Sequence, residues 1–395
     1  MERVIMTEYE RWHAMKLDDP DLTEELNAIE GNPEEINDRF YRELEFGTGG
    51  LRGVIGAGTN RINIYTVQKA TQGLANYLNK KTSHASVAIA YDSRIKSDVF
   101  AKAAAEVLAA NGITAHLYPQ LMPTPALSFA VRHLKCDAGI CITASHNPAK
   151  YNGYKAYGSD GCQVALEMAD AILDEINRLD IFRDVKHMDY DAAVEQGSIK
   201  AIGEDVVIAF LNAVKSQSIL DCSDSDLKVV YTPLNGSGKM CVTRIFNMIG
   251  IKNITIVPEQ SEPDGNFPTC PYPNPEFREA LQVGLNLCES VQPDLLVATD
   301  PDCDRMGIAV RHNGDYQLLN GNEVGVLLLD FIARNRIANG TMPKHPVAVK
   351  TIVSTDLTDS VAKEYGIELR SVLTGFKYIG DQIAGLEANG EESRY

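Results

Sequence analysis

Ala138-Gly139-Ile140-Cys141-Ile142, followed at once by Thr143-Ala144-Ser145-His146-Asn147-Pro148, sets a short apolar run against a polar turn. The run is too brief for a helix and carries β-branched residues, so it predicts a buried strand. Asn147-Pro148 forces a turn after it. Ser145 therefore stands at the carboxyl end of a strand, which is where open α/β sheets bind their ligands. A serine there can be a nucleophile, a phosphate carrier or a helix cap, and a Ser-x-Asn-Pro turn alone is accounted for by local capping.

A second stretch bears on that choice. Leu295-Leu296-Val297-Ala298-Thr299 predicts another strand, and Asp300-Pro301-Asp302-Cys303-Asp304-Arg305 follows it. In extended backbone alternate side chains share a face, so Asp300, Asp302 and Asp304 can turn three carboxylates toward one point. Three carboxylates at one point repel unless protons or a metal neutralise them. All-oxygen ligands with room for a phosphate suit Mg²⁺ better than Ca²⁺. A calcium loop of the EF-hand kind would need Gly and Glu where this chain has Arg305 and Arg311. A solvated acidic turn is the plainer alternative, but the preceding strand and the following arginine favour metal and phosphate binding side by side. Cys303 lies between two of the ligands and is expected to point away from them, in a structural role.

At 395 residues the chain exceeds one ordinary core and implies roughly two to four domains. No window is long and apolar enough to span a membrane, and the N-terminus has no signal-peptide core, so a cytoplasmic protein is expected. The eight cysteines lie far apart with no Cys-x-x-Cys pair, as reduced core residues do. A net charge of −17 argues against nucleic acid as a partner. A small phosphorylated substrate is compatible with it if basic residues gather in one cleft. The sequence sets no oligomeric state.

Three segments share the pattern of an apolar strand, a polar turn and a helix: Val87–Tyr91 with Asp92-Ser93-Arg94, Val229–Tyr231 with Thr232–Gly238, and Val347–Val353 with Ser354-Thr355-Asp356. Their spacing, roughly 120 to 140 residues, is too long for a solenoid and suits a repeated α/β domain. Polar breaks at Ser198–Asp205 and His312-Asn313-Gly314-Asp315 divide the chain into a helical N-terminal extension (1–45) and units over 46–204, 205–314 and 315–395. Pro33-Glu34-Glu35 reads as a helix start within the extension, and the run Pro263 to Pro275 as an ordered loop.

Phe46-Gly47-Thr48-Gly49-Gly50-Leu51-Arg52-Gly53, Thr143 to Pro148, Asp300 to Arg305 and Thr374-Gly375-Phe376-Lys377 occur in the order seen in the α-D-phosphohexomutases, which this chain resembles from about residue 40 to its end. The Asp-Pro-Asp motif is similar to that of the phosphoglucomutase and phosphopentomutase branch. The resemblance implies an α/β fold of three consecutive related domains, with mixed sheets sandwiched by helices. It also implies that Ser145 carries a phosphoryl group and that Mg²⁺ is bound by that group with Asp300, Asp302 and Asp304. The implied reaction interconverts glucose 1-phosphate and glucose 6-phosphate through a glucose 1,6-bisphosphate intermediate. Lys155 is then the expected general base, His146 a supporting group, and Arg52 and Arg305 neutralise phosphoryl charge. Thr48 in the glycine-rich turn, together with Arg305, Thr374, Gly375 and Lys377, would bind the sugar phosphate.

Relatives implied by the resemblance have a sugar-reading Glu-x-Ser loop and a fourth domain. Glu391-Glu392-Ser393 follows a glycine-capped helix end rather than a strand, so both are expected past Tyr395, with the third domain incomplete and turnover by these residues low. Three other readings stand beside the leading one. They are phosphopentomutase or phosphomannomutase activity on the same scaffold, a non-catalytic sugar-phosphate-binding fragment, and an aspartyl phosphatase with Asp300 as nucleophile.

Overall fold

The computed structural model describes residues 2–47, 49–222 and 225–395. Three helices, α1 (Glu2–Ala14), α2 (Pro20–Ala28) and α3 (Pro33–Phe40), precede the first strand. Pro33 opens α3 behind Asn32, whose side chain accepts from the Glu35 N–H, so the proline ring fixes the first helical φ where no donor is needed.

The first sheet is built from β1 (Gly50–Val54), β2 (Ser86–Tyr91), β3 (Thr114–Leu117), β4 (Ala138–Ile142), β5 (Tyr151–Gly158) and β6 (Ile199–Ala201), in the order β1-β5-β4-β2-β3-β6. Its helices are α4 (Ile64–Asn79), α5 (Ser97–Ala110), α6 (Thr124–His133), α7 (Leu166–Asn177) and α8 (Tyr190–Glu195). Strands β2, β3, β4 and β6 run parallel, and β5 is antiparallel to both β4 and β1. Every residue of β4 is buried, because helices cover both faces of a sheet with crossover connections, and such strands lose the polar alternation.

Helix α9 (Glu204–Lys215) leads to a second sheet of β7 (Lys228–Thr232), β8 (Asn253–Ile256), β9 (Leu295–Thr299), β10 (Met306–His312) and β11 (Asp315–Leu319), ordered β11-β10-β9-β7-β8 and flanked by α10 (Gly238–Met248) and α11 (Arg278–Val291). The polar turn His312–Asp315 lies inside the second sheet. Asn313 and Gly314, both at positive φ, form the tight turn of a hairpin in which His312 pairs with Asp315, so the second sheet continues to Leu319. A two-residue hairpin turn and a domain seam use the same residue types, and only strand pairing separates them.

The last part holds α12 (Gly321–Ala338), β12 (Val347–Thr351), α13 (Leu357–Glu364), β13 (Glu368–Val372) and α14 (Phe376–Ala388), with β12 and β13 paired in parallel. The Glu391–Ser393 stretch follows the α14 end at Gly390, at φ 69, and enters a single 3₁₀ turn.

The first two sheets are joined by a common apolar cluster. Ala126, Leu127 and Ala130 of α6 meet Val206, Val207, Phe210 and Leu211 of α9 and Cys241 of α10. That shared core fixes the carboxyl ends of β4 and β9 relative to each other, which is where the two motif turns lie.

The N-terminal helices belong to the first core. Trp12 is fully buried, and its ring lies edge-on to Phe40, Tyr65 and Phe182 at centroid distances of 6.0, 5.7 and 5.1 Å. Trp12→Ala is expected to cost about 3–5 kcal/mol, read by urea denaturation under circular dichroism, since Trp12 is the sole tryptophan. A loss below about 1 kcal/mol would show that these helices are peripheral to the core.

Candidate active site

Ser145 sits in the turn after β4 at φ 53 and is buried. A left-handed backbone is uncommon for a non-glycine residue and persists only where the surroundings enforce it. Here the enforcement is visible atom by atom. The Ser145 N–H donates to Thr143 Oγ1 at 2.8 Å. The Thr143 hydroxyl in turn donates to Asp92 Oδ2 at 2.6 Å. Arg94, with its side chain wholly buried, donates to the carbonyls of Ser145 at 2.5 Å, of Pro148 and Tyr151 at 3.0 Å each, and of Asn147. Gly153 on β5 completes the mould, because a Cβ there would lie against the carbonyl oxygens of Thr143 and Leu51.

Asp92 and Arg94 directly follow β2, in a polar turn that the sequence reading did not assign to the site. The signal that could have found them is a charge pair directly after a fully apolar strand, since such charges are buried only when matched.

The second turn, after β9, faces the first. Ser145 Oγ donates to Asp300 Oδ2 at 2.9 Å, while Asp300 Oδ1 accepts the N–H groups of Asp304 at 3.1 Å and Arg305 at 3.0 Å. Asp300, Asp302 and Asp304 offer ligand atoms within 4.8 Å of one another. The expectation of an extended backbone for this convergence is corrected. The segment is a turn with Cys303 at φ 54 and an N–H of Cys303 bonded to the Asp300 carbonyl, and Pro301 favours a turn over a strand. Cys303 does lie toward the second core, near Tyr231 and Thr299.

Lys155 of β5 reaches this cluster, with Nζ 2.9 Å from Asp302 Oδ2 and 3.6 Å from Asp304 Oδ2. Burial alone would drive its proton off, but Asp302 and then Tyr157 and Asp304 outweigh burial and push its pKa well above the ordinary lysine value. As a general base it is therefore held as the ammonium while those carboxylates remain its partners. Burial, followed by Asp302 and Asp304, pushes Asp300 well above the usual carboxylate range. Loss of water and the neighbouring Asp302 raise Asp304 as well. Burial works the same way on Asp302, yet Lys155, Asp300 and Thr124 overcome it and hold that carboxyl low.

His146 lies with Nδ1 3.3 Å from Ser145 Oγ. Burial, then Arg305 and Arg52, lower its pKa to about 4, so the ring is neutral near pH 7. Arg52 of β1 donates to Asn147 Oδ1 at 3.4 Å, on the exposed side of the serine turn. Ser145, His146, Lys155, Arg52, Arg305 and the three aspartates are thus gathered at one place. Thr48 lies outside the described residues. Thr374, Gly375 and Lys377 belong to the start of α14 in the third unit. There Lys377 is buried with Nζ 5.0 Å above the Tyr378 ring and no hydrogen-bond partner.

The triad fits a hard divalent cation. Asp302 Oδ1 is buried with no hydrogen-bond partner, and such an atom is costly unless something absent from the protein engages it. All three ligands are carboxylates, the donor type that Mg²⁺ takes.

The three units have counterparts among known proteins. The α/β/α domains I, II and III of phosphoglucomutase/phosphomannomutase match residues 43–181, 206–314 and 320–394. The phosphoglucomutase of Staphylococcus saprophyticus is 41% identical over 352 residues, covering 89% of this chain and 63% of that protein. The phosphoglucomutase of Staphylococcus aureus strain USA300 is 38% identical over 358 residues, with the same coverage of 89% and 63%. The chain therefore spans 63% of the length of these relatives. Among solved structures, a phosphomannomutase candidate from Thermus thermophilus superposes with a TM-score of 0.73 at 26% identity, over 87% of this chain and 72% of that one. A phosphoglucomutase/phosphomannomutase family protein from Burkholderia thailandensis shares the fold with a TM-score of 0.67 at 22% identity, over 87% and 69%.

Two outcomes follow from the site. Arg94→Met would leave four turn carbonyls without their donor and the buried Asp92 without its ion-pair partner, and a loss of about 3–5 kcal/mol is expected in chemical denaturation; a loss under about 1 kcal/mol would mean the turn holds itself. Because Asp300 and Asp304 bind protons more tightly than ordinary carboxylates, a cation taken up by the triad must displace protons. Apparent Mg²⁺ affinity should then rise as pH rises and fall as pH drops below the raised Asp300 value. Calorimetric titrations in buffers of different ionisation heat would reveal the released protons, and equal heats in both buffers would contradict it.

Proposed function

The chain belongs to the phosphoglucomutase/phosphomannomutase family of α-D-phosphohexomutases, and from that premise we propose that it transfers phosphoryl groups on hexose phosphates through Ser145, interconverting glucose 1-phosphate and glucose 6-phosphate. The observation that carries the reading is the 2.9 Å approach of Ser145 Oγ to Asp300 across the gap between the two turns. It puts a hydroxyl able to hold a phosphoryl group beside three carboxylates able to hold a cation.

In the proposed cycle a sugar hydroxyl oxygen attacks the phosphorus of phosphoserine. The new phosphorus–oxygen bond forms as the bond to Ser145 Oγ breaks, giving glucose 1,6-bisphosphate. The hydroxyl proton passes to a base, and the reverse steps at the other phosphate restore phosphoserine. Lys155 is the proposed base once its carboxylate partners are otherwise engaged, with neutral His146 beside the serine in a supporting role. Arg52 and Arg305 would neutralise the equatorial phosphoryl oxygens, which is the main requirement of such a transfer. Mg²⁺, held by Asp300, Asp302, Asp304 and the phosphoseryl group, would supply the remaining positive charge there. Thr48, Thr374, Gly375 and Lys377 are proposed to bind the sugar phosphate, and its second phosphate would anchor the bisphosphate as it turns.

The preference for glucose rests on relatives named phosphoglucomutase at 37–41% identity. Among the described residues no helix is long and apolar enough to cross a membrane, and all eight cysteines are free. The free thiols support the proposed cytoplasmic setting.

Incubation with Mg²⁺ and glucose 1,6-bisphosphate should place one phosphoryl group on Ser145, detected by phosphopeptide mapping, and none on a folded Ser145→Ala variant. Label on Asp300 instead, persisting in Ser145→Ala, would replace this reading with an aspartyl phosphatase. Parallel assays with glucose, mannose and ribose 1-phosphates should favour glucose.

A further inference from the structure

Asp302 is held from the first unit by Thr124, the opening residue of α6, and we propose that Thr124 is a positioning residue that assigns the two oxygens of Asp302, keeping one occupied so that the other faces the cation. The proposal rests on the reading of Asp300, Asp302 and Asp304 as the Mg²⁺ site. The Thr124 N–H donates to the Asp302 backbone carbonyl at 2.8 Å. Its hydroxyl donates to Asp302 Oδ2 at 3.0 Å, across 178 positions of sequence. Lys155 Nζ approaches the same Oδ2 at 2.9 Å, whereas Oδ1 is buried and accepts no N–H or hydroxyl group.

This asymmetry is informative because Asp302 is wholly buried. A carboxylate free to rotate would share its donors between both oxygens, since leaving one acceptor dry is unfavourable. Two donors converging on Oδ2 prevent that rotation. The donors differ in kind, however. Lys155 brings a positive charge that repels an arriving cation, whereas the Thr124 hydroxyl fixes the same oxygen without any such competition. The hydroxyl is itself oriented, lying 3.3 Å from Cys141 Sγ on β4, the strand that delivers Ser145. Thr124 thus touches the serine strand and the cation loop at once. Partners of this outer kind around metal ligands are worth roughly 10- to 100-fold in affinity when removed.

Thr124→Val retains the N–H and the side-chain shape but deletes the hydroxyl, and Thr124→Ser retains the hydroxyl. Mn²⁺ binding to the full chain at fixed pH, followed by the electron paramagnetic resonance of the free ion, reads the site without recourse to activity. Thr124→Val should weaken Mn²⁺ binding by roughly 10-fold or more, and Thr124→Ser should restore it to within about threefold. Thr124→Val binding within about twofold of the parent would overturn the proposal, as would Thr124→Ser weakening it as much as Thr124→Val. Should Thr124→Val not fold, Thr124→Ala is read by the same criteria. Mn²⁺ binding that is lost in Asp302→Asn yet unchanged in Thr124→Val would sink the positioning role alone. No Mn²⁺ binding in the parent would sink the metal reading together with it.

Discussion

Three carboxylates with ligand atoms inside 4.8 Å set the terms for everything around them. At the effective dielectric of a partly buried site, each pair of full charges at that spacing repels by on the order of 3 kcal/mol, and less where Asp304 meets water. The protein answers with several devices at once. Lys155 lies between Asp302 and Asp304; two backbone N–H groups close on Asp300 Oδ1; and Asp300 retains its proton to a higher pH than a free carboxylic acid. These answers are partial, because Asp302 Oδ1 is left without a partner. The site is therefore stable enough to fold around and still deficient in positive charge, the condition under which a divalent cation is taken up.

That electrostatic constraint dictates how the first two units must meet. Neither turn is complete alone, since the hydroxyl comes from the end of β4 and the carboxylates from the end of β9. The shared cluster of α6, α9 and α10 sets the approach coarsely through burial, which has no direction. Finer alignment comes from directional contacts. Thr124 of the first unit donates its N–H to the Asp302 carbonyl at 2.8 Å and its hydroxyl to Asp302 Oδ2 at 3.0 Å. On the other side Phe267 places its ring 5.1 Å beneath the Arg94 guanidinium. Gly265 lets that loop come close, since a Cβ there would stand 2.5 Å from the Ile95 nitrogen. The proline-rich loop of the second unit thus braces the arginine that moulds the serine turn of the first.

Much of this was legible in the residues because it is written locally. The buried strand before Ser145, the strand before Asp300 and the repeated strand–turn–helix units follow from apolar runs ended by turn residues, and a helix of the N-terminal extension follows from its Pro33-Glu34-Glu35 start. Where local residue type serves two purposes, the reading failed. Alternating aspartates fit a strand and a tight turn alike. Arg94 and Thr124 were invisible for another reason. Their importance lies in what they touch, and Thr124 meets Asp302 across 178 residues, a separation at which a sequence carries pairing information only in the folded chain.

The same locality resolves the conflict between net charge and substrate. A chain at −17 should repel sugar phosphates at long range, yet exposed charges beyond a Debye length, about 8 Å at physiological salt, are largely screened. What an arriving phosphate meets is the immediate neighbourhood of Ser145. There Arg52, Arg94, Lys155 and Arg305 stand against Asp92, Asp300, Asp302 and Asp304, with Asp300 biased toward its neutral form and Arg94 turned inward to carbonyls. Before any cation binds, the cleft is near balance rather than acidic. In the proposed function a divalent cation would tip that balance to positive, so that the carboxylates that by themselves disfavour a phosphate would allow it to be held. Strong anion binding would then depend on cation occupancy, which would tie the proposed phosphoryl chemistry to a loaded site.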